Sequence, residues 1–254
     1  MSRIRIALQL YSIREECSRN LARCLKAVAD MGYEGVEFAG YYGYSAEELR
    51  KILDEYGLEV AGSHIGVNAL LEDSFGNTVE YNRALGNRFI IVPSLPEYMR
   101  GSRDRWVETA NLFDRLADEL RRYGMRIGYH NHTIEFKPVD GEIPWDIFFR
   151  NTKPEVVMQL DTGNAMRAGI TVDEVLDIIG RYPRRAVTVH LKEYSKSSDK
   201  VVIGEGEMKW REFIDLCLKV GGTEWFIVEQ ESYPYPPLES VKRCIDNLKR
   251  ILGI

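Results

Sequence analysis

The sequence predicts one closed β/α barrel, (β/α)8, on three observations. Short apolar runs alternate eight times with helix-patterned segments along 254 residues, a length typical of one such barrel. Most of the runs are rich in β-branched residues and largely apolar, as strands buried on both faces of a parallel sheet are. Residues of catalytic and metal-binding type stand directly where these runs stop. In a parallel barrel all strand C-termini open on one face, so residues far apart in sequence converge there. A single domain over residues 1–254 is expected, with no linker and no low-complexity tract.

The strand candidates, in order, are Ile4–Leu10, Gly35–Phe38, Glu59–Ser63, Arg88–Val92, Met125–Tyr129, Val156–Leu160, Ala186–Leu191 and Trp225–Glu229. Between them, Leu21, Cys24, Leu25 and Val28 keep helical spacing. Ser45 with Glu48 is a capping-box start for a helix through Tyr56, which Gly57 can stop. Leu112, Phe113, Leu116 and Leu120 form one stripe before Gly124. Thr171 with Glu174 is a second capping box, for a helix closing near Gly180, and a last helix is expected over Leu238–Leu252. No GxGxxG follows the first strand, which weakens a dinucleotide-binding open sheet. The longest irregular stretches, Pro93–Arg103, Asn131–Ile143, Tyr194–Met208 and Glu231–Pro237, all follow strands and so lie over one barrel face.

Composition excludes several function classes. A net charge of -5 offers no basic footprint for nucleic acid. No apolar run approaches 18 residues, so no transmembrane helix is expected. Met1 to Arg5 passes straight into a strand pattern without the apolar core of a signal peptide, so a cytoplasmic location is expected. Cys17, Cys24, Cys217 and Cys244 form no CxxC pair, and they read as buried small hydrophobes in a reducing compartment. Cys17 and Cys24 fall on one face of an expected helix start.

The chemistry concentrates at the ends of the last four strands. Asp161-Thr162-Gly163-Asn164 offers a carboxylate to a divalent metal, with Thr162 or Asn164 to orient it, although Asp, Gly and Asn are also ordinary turn formers. In strand alternation Thr188, His190 and Lys192 share one side, so His190 and Lys192 point into the barrel mouth together. Glu229 follows four apolar residues, where a carboxylate needs a partner or a metal, and Glu231 has the same parity. His130-Asn131-His132 ends the fifth strand, with Glu135 close behind. Glu135, Asp161, His190 and Glu229 then form a candidate ligand set, with His130 or His132 competing for the first place. Oxygen and nitrogen donors without thiolate suit Mn2+, Mg2+, Co2+ or Zn2+. Two carboxylates beside such an ion suit proton abstraction next to a carbonyl, one removing the proton and the other returning it. Gln9, Tyr11, Glu37, His64, His130, His132 and Lys192 are candidates for binding the hydroxyls of a sugar or polyol. Gly204-Glu205-Gly206 reads as a plain loop more readily than as a phosphate turn.

Over essentially its whole length the chain resembles the sugar phosphate isomerase/epimerase family, the xylose-isomerase-like TIM barrels. The residues that carry the resemblance are Gln9-Leu10-Tyr11-Ser12-Ile13-Arg14, Gly35-Val36-Glu37, Tyr129 to Phe136, Leu160 to Asn164, His190 to Glu193, Gly204-Glu205-Gly206 and Val228-Glu229-Gln230. The resemblance implies one divalent ion, Mn2+ foremost, held by Glu, Asp, His and Glu. Asp161, His190 and Glu229 match three of these by motif, and the HNH segment occupies the usual place of the first Glu, so Glu135 is the candidate there and His130 or His132 the competitor. The resemblance implies Glu135 and Glu229 as the two acid/base groups. It implies an isomerase or epimerase acting on a keto-sugar or related polyol through a metal-stabilised enediolate. A metal-dependent lyase such as inosose dehydratase, or an enzyme of 3-keto-glycosides, is the alternative, and a non-catalytic sugar-binding barrel a more distant one. Many barrels of this kind associate, so a homo-oligomer is a further expectation. Endonuclease IV shares the fold but needs a larger ligand set for three zinc ions, which four histidines and an acidic balance do not favour.

Overall fold

A computed structural model describes residues 3–71 and 73–254. Eight strands appear where the apolar runs predict them: β1 (Ile6–Gln9), β2 (Gly35–Phe38), β3 (Glu59–His64), β4 (Phe89–Val92), β5 (Arg126–His130), β6 (Val157–Gln159), β7 (Thr188–Leu191) and β8 (Trp225–Val228). Apart from β2, whose limits are as expected, their ends move by up to two residues, the usual spread of strand boundaries. Neighbours pair in parallel in the order β6-β5-β4-β3-β2-β1-β8-β7. The β6/β7 seam closes through an isolated bridge between Asp161 and His190, with His190 N–H donating to Leu160 O at 2.9 Å. The barrel thus closes at two of the residues that the sequence marks as ligands.

Both capping boxes form. Ser45 and Glu48 bond reciprocally at the start of the helix Ala46–Tyr56, and Gly57 ends it in the left-handed region at φ 66°. Thr171 and Glu174 do the same for Val172–Arg181, and the last helix spans Pro237–Leu252. The expected helix around Cys17 and Cys24 is instead two, Arg14–Arg19 and Leu21–Asp30, because Asn20 turns extended and caps the second through Arg23 N–H. All four cysteines are buried and free, as a reading of small hydrophobes requires.

Two apolar clusters follow from strand parity. The larger one lies between the barrel wall and the helices. The smaller one comprises Ala7, Ala61, Phe89, Ile91, Val157, Val187, Trp225 and Ile227, near the strand starts, with Ala61 at the β2/β3 register shift and Val187 just before β7, and it floors the barrel. Two residues further along the same faces, Ala7 gives way to Gln9, Val157 to Gln159 and Ile227 to Glu229. Alternation therefore builds a lumen that is apolar at one end and polar at the other. Among the described residues no helix is long and apolar enough to cross a membrane.

Candidate metal centre

Above the apolar floor lies a buried tier made of Gln9, Glu37, Gln159 and Thr188, all with 0% exposure. Glu37 is its hub. Its Oε1 accepts from Gln159 Nε2 at 2.7 Å, and its Oε2 accepts from Gln9 Nε2 at 2.7 Å and His190 Nε2 at 2.6 Å. Burial pushes this carboxyl up, but the His64 and His190 imidazoles facing it win, and it stays below its ordinary range. Gly62 makes room for it, since a Cβ there would sit 2.7 Å from Glu37 Oε1.

The tier supports a second group at the strand ends. Ligand atoms of His130, Asp161, His190 and Glu229 all lie within 4.8 Å of one another, and all four residues are buried. His64, His130 and His190 satisfy the same criterion. Asp161 spends Oδ1 on Asn164 N–H at 2.6 Å, the cap of the short helix Thr162–Arg167, while its Oδ2 is buried without a hydrogen-bond partner. An orphaned, buried carboxylate oxygen beside two imidazoles and a second carboxylate is what a cation site requires. Asn131 holds the Asp161 backbone through both ends of its amide, at 2.8 and 3.1 Å.

Charge is shared unevenly across the group. Burial lowers His130 well below its ordinary value, and the neighbouring His190 and His64 push the same way, so its imidazole is neutral and ready to ligate. Burial also opposes charge on His190, but Glu37 and Glu229 on either side raise it well above its ordinary value. Burial raises Asp161, against the pull of Lys192. For Glu229 burial is overcome by Lys192 and His190, which hold it well below its ordinary range. Lys192 is buried and tied to Asn164 Oδ1 at 3.1 Å, Glu229 Oε2 at 3.3 Å and the Glu231 carboxylate.

One expected ligand lies elsewhere, and this corrects the sequence-derived set. Glu135 sits on a short turn, Ile134–Phe136, behind β5. Its Oε1 accepts from Tyr129 O–H at 2.6 Å and its Oε2 from His132 N–H at 2.7 Å. Tyr129 faces outward against Trp106, Phe113 and Phe148, so Glu135 belongs to the layer between wall and helices. His130 has the opposite parity and takes the place in the lumen. The group of side chains that could hold an ion therefore includes His130 and not Glu135. Gln9 and Glu37, expected to contact substrate, lie fully buried in the tier beneath the group, bonded to each other and, through Glu37, to His190.

Of the remaining candidates, Tyr11, His64, His130 and His132 line a cavity of about 400 Å³ over the group, together with Glu229 and Glu231. Lys192 stands just beneath its carboxylate wall. The Gly204–Gly206 segment is a structural loop, with Gly204 N–H donating to buried Glu193 and Gly206 packed on Tyr194 O. Gln159 was not anticipated. It shares strand parity with Asp161, and that signal was available in the sequence.

A nearly closed parallel barrel with buried His, Asp and Glu side chains gathered at its C-terminal face defines the class: a TIM barrel with a candidate cation site. The chain belongs to the xylose isomerase-like TIM barrel family, whose model matches residues 25–251. An inosose dehydratase of Geobacillus kaustophilus is 24% identical, over 88% of this chain and 86% of its own. A sugar phosphate isomerase/epimerase from Parabacteroides distasonis superposes with a TM-score of 0.81 at 22% identity, covering 97% of this chain and 93% of its own. The IolI protein, solved with a bound zinc atom, gives 0.73 at 13% identity over 98% of each chain.

Proposed function

We propose that this protein is a divalent-metal-dependent lyase that removes water from a keto-polyol of the inosose type. His130, Asp161, His190 and Glu229 would hold one ion. The bound ion would supply positive charge for the substrate carbonyl as the adjacent C–H bond ionises. Two nitrogen and two oxygen donors suit Zn2+ or Co2+ better than the Mn2+ expected for a carboxylate-rich set.

Glu229 is the proposed base. Lys192 engages its Oε2 and keeps it ionised, and the residue also lines the cavity. It takes the proton α to the carbonyl. The electron pair forms the C=C bond as the β C–O bond breaks, and the leaving hydroxide takes a proton from His132 on the cavity wall to depart as water. Tyr11, His64 and Glu231 are proposed to bind the remaining hydroxyls.

The observation that carries this reading is the placement of Glu135. Inverting a carbon needs proton donors or acceptors on both of its faces, and a carboxylate pair does this best. Here the carboxylates of the cavity, Glu229 and Glu231, both come from the end of β8, and the strand-five carboxylate is bonded behind the wall. Elimination needs one base and one acid. The isomerase or epimerase reading is favoured by the superposition on the Parabacteroides distasonis enzyme.

A panel of inososes, ketoses and 3-keto-glycosides in D2O separates the two. Elimination gives a product lighter by one water and absorbing as an enone or enolised diketone. Isomerisation gives a product of unchanged composition carrying solvent deuterium. Glu229→Gln should abolish either reaction. Deuterium-bearing epimers without water loss would sink the lyase reading.

A further inference from the structure

We propose that Gln159 is the positioning residue that decides which nitrogen His64 and His130 present to the lumen. The inference rests on the metal-centre reading above and deepens it. Its logic starts from a backbone amide, which can only donate. Tyr11 N–H donates to Gln9 Oε1 at 3.0 Å, so the other end of that amide, Nε2, is the one 2.7 Å from Glu37 Oε2. Glu37, as a carboxylate, only accepts. The Gln159 atom 2.7 Å from its Oε1 is therefore Nε2, since the flipped amide would bring two oxygens together.

The orientation of Gln159 then fixes the histidines. Its Oε1 lies 2.8 Å from His64 Nε2 and 3.2 Å from His130 Nδ1, and both of these nitrogens must carry a proton to donate. Its second Nε2 proton goes to Thr188 Oγ1 at 3.1 Å, so the amide makes two donations and two acceptances. Glu37 Oε2 makes the matching demand on His190 Nε2 at 2.6 Å. His130 therefore ligates through Nε2 and His190 through Nδ1, the nitrogen 3.1 Å from Glu229 Oε2 and 3.7 Å from Asp161 Oδ2. His64 keeps Nδ1 as an acceptor. Hydrogen bonds from Gln159, itself oriented by Glu37, pre-set His64 and His130 before any ion arrives, while Glu37 engages Nε2 of His190 and leaves Nδ1 as the nitrogen whose proton an ion displaces.

The chain contains four histidines, so ring nitrogens can be read one by one in protein labelled with 15N-histidine. Long-range 1H–15N correlation spectra would be recorded for wild type, Gln159→Leu and Gln159→Glu without metal, and zinc dissociation constants measured against a competing chelator. Wild type should show His130 protonated on Nδ1 and His64 on Nε2. Gln159→Leu should lose the Nδ1 proton preference of His130 and bind zinc about 10- to 100-fold more weakly. Gln159→Glu, protonated on the oxygen that faces Glu37, keeps both a donor and an acceptor oxygen and should keep the His130 proton on Nδ1. A wild-type His130 protonated on Nε2 would overturn the proposal, even if Gln159→Leu fails to fold. Unchanged ring protonation and zinc affinity in both variants would overturn it as well. Wild type with the expected protonation but no zinc affinity would uphold the tautomer assignment and retire the metal centre instead.

Discussion

The two ends of the barrel lumen are built from the same strand faces and obey opposite rules. At the floor, Phe89, Ile91, Val157, Trp225 and Ile227 pack as an apolar plug. At the mouth, two residues further along, Gln9, Gln159, His190 and Glu229 carry a bonded polar network with nearly every buried atom satisfied. Asp161 Oδ2 is the unsatisfied atom of this network among the described residues. The floor holds the barrel together, whereas the mouth spends burial on charges that an apolar filling would replace at lower cost. Such a tier is explained by chemistry rather than stability.

Substitutions can separate the two ends. Asp161→Asn keeps the helix cap but removes ligand charge, and should weaken zinc binding roughly 1,000-fold, about 4 kcal/mol, while melting temperature stays near wild type. Equal loss of stability and affinity would show that the mouth is structural. Phe89→Ala at the floor should cost about 3–5 kcal/mol in denaturant unfolding and leave zinc affinity within a factor of a few. Glu135→Gln should cost about 1–3 kcal/mol of stability, because one of its two buried partners loses its acceptor.

A smaller effect comes from pH. Without metal, Glu37 and Glu229 outweigh burial and raise His190 well above its ordinary value, so its Nδ1 holds a proton that an ion must displace. Zinc affinity should therefore rise with pH, by about tenfold per unit below the raised His190 value, with one proton released per ion in calorimetry. Affinity that is flat across this range would mean that His190 does not ligate.

Most of the fold was legible in the sequence because parallel strands and capping boxes are local signals. The β2 limits, both capping boxes and the last helix to within a residue follow from apolar runs, Ser45/Glu48, Thr171/Glu174 and Leu252. Asp161, His190 and Glu229 were legible as strand-end residues of matching parity, and the structure gathers them. Glu135 falls outside that group because it lies past the strand, where parity no longer applies and a turn decides direction. Tyr129 O–H and His132 N–H made that decision, and neither contact can be inferred from spacing. Gln9 and Glu37 had the right parity but the wrong depth, since a two-residue step separates the cavity from the tier beneath it.

The central claim is that strand five contributes His130, and not Glu135, to a single metal site. The most direct test is bound zinc per chain, measured by elemental analysis after dialysis, in wild type, His130→Ala and Glu135→Gln. The account predicts one ion per chain in wild type and in Glu135→Gln, and its loss in His130→Ala. Zinc retained in His130→Ala and lost in Glu135→Gln would contradict it.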